Sequence, residues 1–481
     1  MLLMSSLVAS QLVMAGGIVS NTNQHAAYQR NFAREATSEI DAAYSNPAGL
    51  SFKEDGLEMA FSYQATFQER KTASTSPTFA MNSASLGEAT RNYVGEIKAP
   101  FIPSLQLAYK KNNWAFYTNI AVSGGGGSCK FADGMGSTES TVSSLPTVAN
   151  AIMGNRPLFN QYSVESNMEG SSYIFSLTLG ASHKFDEHFS ASLGLRGNYA
   201  LNKYQGYVKN IQVNNPLGAG MVKPGELSAQ MAQMNMIPSS TAQAVAALTA
   251  DREIDCKQSG FGIAPILGMA VQFDRVRFGA RYEFRTKIEL ENDTKNDARM
   301  PAYEDGLSLR SDVPAILATG LDVDLCKSLT LGLAYRHYFD NMAKISAYDS
   351  EWFNKAKYTG KGTSDIAAAL EWKINDKWTV SATGMRTQYN VEDRFQSDLN
   401  FSLSCWSIGG GLKFSPVANI DINLAYFGVN YDDDYTKVYA PDMASYNPGR
   451  TDVYNRTANS FAAGINYRFG NKSKQAETVE Q

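Results

Sequence analysis

The sequence predicts an all-β protein, a transmembrane antiparallel β-barrel of about 14 strands with an N-terminal hatch, or plug, inside it. Three observations predict it. Segments with period-two alternation recur from residue 56 onward, oily on one face and polar on the other. The connections between them alternate between short and long. Aromatic residues reach 11%, with 25 Tyr and 24 Phe, yet mean hydropathy is only −0.29, as expected when each strand turns one face to lipid and the other to a wet interior.

Residues 1–15, MLLMSSLVASQLVMA, are an apolar stretch ending in a small Ala, which suits removal as a signal peptide before Gly16, although no Lys or Arg opens it. Residues 16–55 are small and polar, close on an Asn46-Pro47-Ala48-Gly49 turn, and read as the hatch. The barrel is expected over 56–470, with a polar periplasmic tail at 471–481.

Strands are expected near 56–69, 101–110, 114–124, 171–185, 189–208, 259–273, 275–289, 309–324, 328–340, 363–374, 378–391, 401–414, 420–432 and 458–469. The clearest is Val276 to Arg285, where Val276, Phe278, Ala280, Tyr282 and Phe284 alternate with Arg277, Gly279, Arg281, Glu283 and Arg285. The stretches beginning at Leu329 and Ile420 repeat the pattern. Tight links such as Lys111-Asn112-Asn113, Asp186-Glu187-His188 and Asn375-Asp376-Lys377 alternate with mostly long ones near 70–100, 125–170, 209–258, 290–308, 341–362 and 433–457, with one short exception near 392–400. An even strand number places both chain ends on the short-turn rim. Closure also removes the unpaired edges that hydrocarbon would not tolerate.

Other classes fit less well. No run of about eighteen apolar residues follows the N-terminus, which excludes helical spans. The net charge of −4 offers no basic footprint for nucleic acid. A soluble β-sandwich would turn its apolar face inward and would not gather its long loops on one side. His188-Phe189-Ser190 has the spacing of a lipid-hydrolysing pair, but it sits at a tight turn on the wrong rim, so no enzyme is expected. The four histidines are scattered, and neither a metal site nor a cofactor is expected. Among the cysteines at 129, 256, 326 and 405, a disulfide between Cys129 and Cys256 is conceivable beside the long loops.

An export signal, then a polar segment carrying Asp41-Ala42-Ala43-Tyr44-Ser45-Asn46-Pro47-Ala48-Gly49-Leu50, then about fourteen strands, resembles the FadL family of outer-membrane transporters. The resemblance spans the mature chain. It implies residence in the bacterial outer membrane and passive uptake of long-chain fatty acids or other hydrophobic small molecules. Cargo would meet a groove in the outer loops, then a pocket at the hatch, then a lateral exit into outer-membrane lipid through a gap at a kinked strand. Gly124 to Gly127 is a plausible place for that distortion, or simply the start of a loop. Gly464, Tyr467 and Phe469 resemble the terminal signal read by the barrel assembly machinery. A surface-binding barrel that transports nothing, or a carrier of aromatic hydrocarbon or haem, is the alternative; a general porin is disfavoured by the hatch.

The candidate ligand-binding residues follow from chemistry. Met231, Met234 and Met236 with Ile237 give a long loop an adaptable apolar surface, and Leu158 and Phe159 lie in the neighbouring loop. A loop core across the barrel mouth is the equally weighted reading. A carboxylate wants a cation, for which Arg277 and Arg281 share an inward-looking face; such arginines more often pair with interior acids.

Overall fold

The structure is a computed structural model and describes residues 18–346, 355–398, 400–442 and 448–469. The expected signal peptide (1–15) and polar tail (471–481) lie outside the described residues.

Fourteen strands form the wall in chain order. They are β1 (Gly56–Thr75), β2 (Thr90–Lys111), β3 (Trp114–Phe131), β4 (Tyr162–Lys184), β5 (Phe189–Asn214), β6 (Arg252–Gln272) and β7 (Val276–Glu283, resuming at Glu289–Asp297). Then come β8 (Ser308–Ser311, then Ile316–Cys326), β9 (Leu329–Tyr338), β10 (Thr363–Lys373), β11 (Trp378–Tyr389), β12 (Cys405–Val417), β13 (Ile420–Tyr431) and β14 (Arg450–Phe469). Each is antiparallel to its neighbours, and β14 closes on β1 from Leu57 opposite Phe469 to Thr75 opposite Thr451. Short strands at Met221–Val222, Ile345–Ser346 and Tyr435–Tyr439 extend the long-loop rim.

The alternation in the sequence is the wall of the barrel. Along β1, Leu57, Met59, Phe61, Tyr63 and Phe67 face outward and stay exposed, while Glu58, Ser62, Gln64, Thr66, Gln68 and Arg70 face inward and are buried. Near the short-turn rim the outer surface carries stacked aromatics, Trp114 with Phe116 and Trp378 with Phe414, whose ring centroids are 6.3 and 4.3 Å apart. This is the interfacial belt of a membrane barrel.

Several strands are longer than their periodicity suggests. β2 begins at Thr90 rather than 101, and β14 at Arg450 rather than 458. These extensions stand on the long-loop side, where outward residues such as Thr451 and Asn455 are polar, so the oily half of the pattern is missing. β7 and β8 break at the same level, around 284–288 and 312–315, where an isolated bridge joins Thr286 to Val313 and the Ile288 carbonyl accepts the Ser311 N–H at 3.0 Å.

Residues 18–51 are packed against the inner face of the wall. From Ile18 to Ser51 every side chain except Ser38 and Glu39 is buried. The segment forms two short helices, α1 (Ala26–Arg30) and α2 (Ala42–Ser45), and a 3-10 turn at Pro47–Phe52. His25 caps α1 by accepting from the Ala27 N–H at 3.0 Å. Because the wall's inner face is polar, the segment is seated by charge. Arg30 meets Glu371 at 2.5 Å, Glu35 meets Arg336 at 2.6 Å and Glu39 meets Lys413 at 2.7 Å, while Arg34 grips Asp41 through two bonds of 2.9 and 2.7 Å.

Candidate functional site: an apolar cleft above an interrupted wall

The wall is interrupted between β2 and β3. Lys98 pairs with Ser128 and pairing resumes only at Leu105 opposite Ile120, so 99–104 and 121–127 face each other without ladder bonds. Two prolines, Pro100 and Pro103, lie in this part of β2 and have no N–H to give. On β3, bulges fall between Val122 and Gly124 and between Gly125 and Gly127, with φ of 65° at Gly125 and 129° at Gly126. A side chain at Gly125 would also overlap the Ser172 carbonyl. Residues 121–127 are all buried, where a wall strand should alternate. The strand has turned inward.

The backbone freed by this kink is taken up by the N-terminal segment. Asn21 receives its partner through the main chain, its N–H donating to the Ser123 carbonyl at 2.8 Å, and its Nδ2 donates to the carbonyls of Val122 and Gly125 at 3.0 and 2.6 Å. Gln24 Oε1 accepts the Val122 N–H at 3.0 Å, and its Nε2 returns a bond to the same residue's carbonyl. Around the interruption, Ala99, Ile102 and Val122 form an apolar cluster with Tyr173 against it. On the lumen side, Ile18 and Val19 pack into a second cluster with Ile174, Ile288, Leu290 and Phe395.

The Asn46-Pro47-Ala48 turn lies on the opposite flank of the segment. Asn46 Nδ2 donates to the carbonyls of Glu35 at 3.1 Å and Met269 at 2.9 Å. Gly279 makes room for it, since a Cβ there would overlap the Glu35 carbonyl and come 2.6 Å from Asn46 Nδ2. Pro47 opens the 3-10 turn, and the Ala48 carbonyl accepts from Ser190 Oγ at 2.8 Å. This explains the role of Ser190, while His188 bonds the Gln272 carbonyl through Nδ1 at 2.8 Å and lies against Phe273. The two side chains serve separate contacts.

At the long-loop rim, α3 (Gly136–Ser143) and α4 (Leu145–Ile152) follow β3, and α5 (Pro224–Gln233) and α6 (Ser239–Leu248) follow β5. Between them lies a cleft lined by apolar side chains including Leu145, Ile152, Phe159, Leu227, Met231 and Ile237. Phe159, Met231 and Ile237 are thus brought together. Leu158, Met234 and Met236 are exposed at 37%, 52% and 44% and stand outside the lining, because α5 ends at Gln233 and the chain turns away. Leu145 touches both this cleft and the cluster of Val142, Tyr162, Val208 and Ile211. α3 is anchored by its buried Glu139, which accepts from Asn82 at 2.9 Å, Tyr162 at 2.7 Å and Tyr93 at 2.5 Å.

Arg277 and Arg281 lie elsewhere. Arg277 is bonded to both Asp324 oxygens at 2.7 and 2.9 Å, near the short-turn rim. Arg281 is 3.1 Å from Glu283, which also takes two bonds from Arg196 at 2.9 and 2.8 Å, and both guanidiniums lie over the Tyr44 ring. All three arginines pair with wall acids, and Arg196 and Arg281 also hold the segment through Tyr44. Cys129 and Cys256 are both buried and free, not bridged. The register sets Cys129 beside Gly170, Gly170 beside Tyr204, and Tyr204 beside Cys256. Three strand spacings are ~14 Å along the wall, twice what a disulfide spans. Asn21, Gln24 and the two prolines were not singled out by periodicity; prolines three residues apart inside a strand pattern were the available signal.

Fold and site together define a fourteen-stranded transmembrane barrel with a buried N-terminal segment, an apolar cleft at one rim and an interrupted wall. Solved structures with this architecture cover nearly the whole chain. A FadL homologue from Pseudomonas aeruginosa superposes with a TM-score of 0.62 at 12% identity, covering 95% of this chain and 100% of that one. The toluene transporters TodX of Pseudomonas putida and TbuX of Ralstonia pickettii give TM-scores of 0.55 and 0.53 at 13% and 12% identity; 94% and 93% of this chain are covered, and 99% and 98% of theirs. The chain has the FadL-like barrel fold. At such identities the likeness is one of fold. No protein-family model matches the chain, and no curated protein does.

Proposed function

We propose that this chain is a bacterial outer-membrane channel for passive uptake of hydrophobic small molecules, with long-chain fatty acids as the cargo. The observation that carries the reading is the apolar cleft above a wall interruption whose backbone is satisfied by the N-terminal segment. An acyl chain gains nothing from a water-filled pore, whereas an oily cleft and a lateral gap give it apolar contact on both sides of the polar headgroup layer. In this reading the long loops face outward, residues 16–55 act as the hatch, and cargo leaves the clusters at Ile18 and Val122 between β2 and β3 into outer-membrane lipid. The barrel assembly machinery would read the closing β14. Among the ligand-binding candidates, Phe159, Met231 and Ile237 make first contact.

The test is uptake of radiolabelled oleate by cells lacking their own transporter. Met231→Asp with Ile237→Asp should abolish it with assembly intact, while Met234→Asp with Met236→Asp should leave it nearly unchanged. No uptake by the assembled wild type would sink the fatty-acid reading. A second reading, monoaromatic hydrocarbons as cargo, is favoured by the cleft lining, which is apolar and holds no ionisable side chain; toluene in the same assay decides it.

A further inference from the structure

We propose that α3 is a gate between the apolar cleft at the rim and the lumen, latched by Glu139, and that hydrophobic cargo passes only when α3 leaves its seat. The inference rests on the reading of this barrel as a channel for hydrophobic compounds and deepens it.

The buried side chains of β5 change company step by step from the rim inward. Val213 lines the cleft, and Ile211 and Val208 pack with Val142 and Tyr162. Further down, Tyr204 joins Tyr93, Met135 and Met168, and Ala200 joins Ile18 and Val19. Apolar groups thus follow one another from the cleft toward the N-terminal segment. Between the second group and the third a carboxylate crosses the way. Glu139 of α3 accepts from Tyr162 of the upper group at 2.7 Å and from Tyr93 of the lower one at 2.5 Å, while Asn82 donates at 2.9 Å and Arg91 Nε lies 3.4 Å away. An apolar chain gains nothing from a buried carboxylate whose partners it would have to displace. The step between the two groups therefore stays shut while α3 is seated.

The helix itself is suited to leaving. Its sequence, GSTESTVS, holds one large apolar residue, Val142, and no strong helix former except Glu139, and its start has no side-chain cap. Its other anchors are polar too: Ser143 Oγ lies 2.8 Å from Thr78 Oγ1 in the 3-10 turn Pro77–Met81, and the Ser137 N–H donates to Asp398 at 2.7 Å. Unseating α3 therefore exposes little apolar surface. Hinges stand at both ends. Gly134, at a φ of 77°, precedes the helix, and a side chain there would overlap Ser166 Oγ. Ser144 separates α3 from α4, which begins Leu145-Pro146. Met135, just before α3, packs in the lower group, and Leu145, just after it, lines the cleft, so the segment joins the two compartments that it divides. Beside it lies a cavity lined by Thr138, by Val208 of the upper group and by Met168 and Ile254 of the lower one.

The test is a reversible lock. Thr78→Cys with Ser143→Cys replaces two hydroxyls 2.8 Å apart by thiols that a disulfide can join, with non-reducing peptide mapping to report the bridge. In cells lacking their own transporter, the oxidised form should take up radiolabelled oleate and toluene about tenfold more slowly than wild type. Dithiothreitol should restore the rate, so that the reduced form serves as the control for assembly. Independently, Glu139→Ala should raise the initial rate about twofold or more, the worth of the lost hydrogen bonds, with heat-modifiable migration confirming assembly. Equal uptake by the oxidised and reduced forms, or a Glu139→Ala rate at or below that of wild type, overturns the gate and leaves the channel reading standing. Wild type taking up neither probe overturns both.

Discussion

Replacing Asn21 and Gln24 by Ala would test whether the N-terminal segment seats the kinked strand. The double change removes four side-chain hydrogen bonds to the backbone of Val122 and Gly125. At a net ~0.5–1.5 kcal/mol each, the seat loses about 2–6 kcal/mol. The backbone N–H of Asn21 still reaches the Ser123 carbonyl, so the segment is loosened and not expelled. Even the lower figure corresponds to a roughly 30-fold rise in local opening. Hydrogen exchange on the assembled protein is the assay. Amides in 18–25 and 121–127 should exchange about 30-fold faster or more, while the continuous β4–β5 ladder, paired from Glu165 opposite Lys209 to Lys184 opposite Ser190, should be unchanged. Unchanged exchange at 121–127 would refute the argument, since it would mean that β3 holds its kink without the segment.

Further outcomes follow from the same geometry. Gly279→Ala should cost about 1–3 kcal/mol through overlap with the Glu35 carbonyl and Asn46, read as a lower temperature of heat-modifiable unfolding than Gly384→Ala, where the nearest atom is 4.0 Å away. Pro100→Thr with Pro103→Thr restores two N–H donors to β2 and should extend β2–β3 pairing, slowing both oleate uptake and exchange of the 99–104 amides. Glu139→Ala strands the Tyr93 and Tyr162 hydroxyls and the Asn82 amide; α3 should become protease-sensitive while the barrel stays heat-modifiable. Non-reducing peptide mapping should find no Cys129–Cys256 bridge.

What the sequence by itself determined was the wall. Alternation such as Val276 to Glu283 needs only local arithmetic, because side chains on a strand point to opposite faces and lipid admits only one kind of residue on its side. The same arithmetic failed on the outer half of β14, where both faces are polar. At 121–127 alternation alone was silent, and Gly124 to Gly127 marked only a place for distortion or a loop start, which is where the bulges fall. Only the tertiary structure decided which of the oily loop residues meet. Met231 and Ile237 enter the cleft and Met234 does not, because that depends on where α5 ends and how α5 and α6 pack. The inward arginines were legible as a class and not as partners: Arg277 finds Asp324 across 47 positions of chain, whereas Arg70 and Arg456 meet only where the first strand closes on the last. Pairings of that kind are set by barrel closure and register, which no local window of sequence contains.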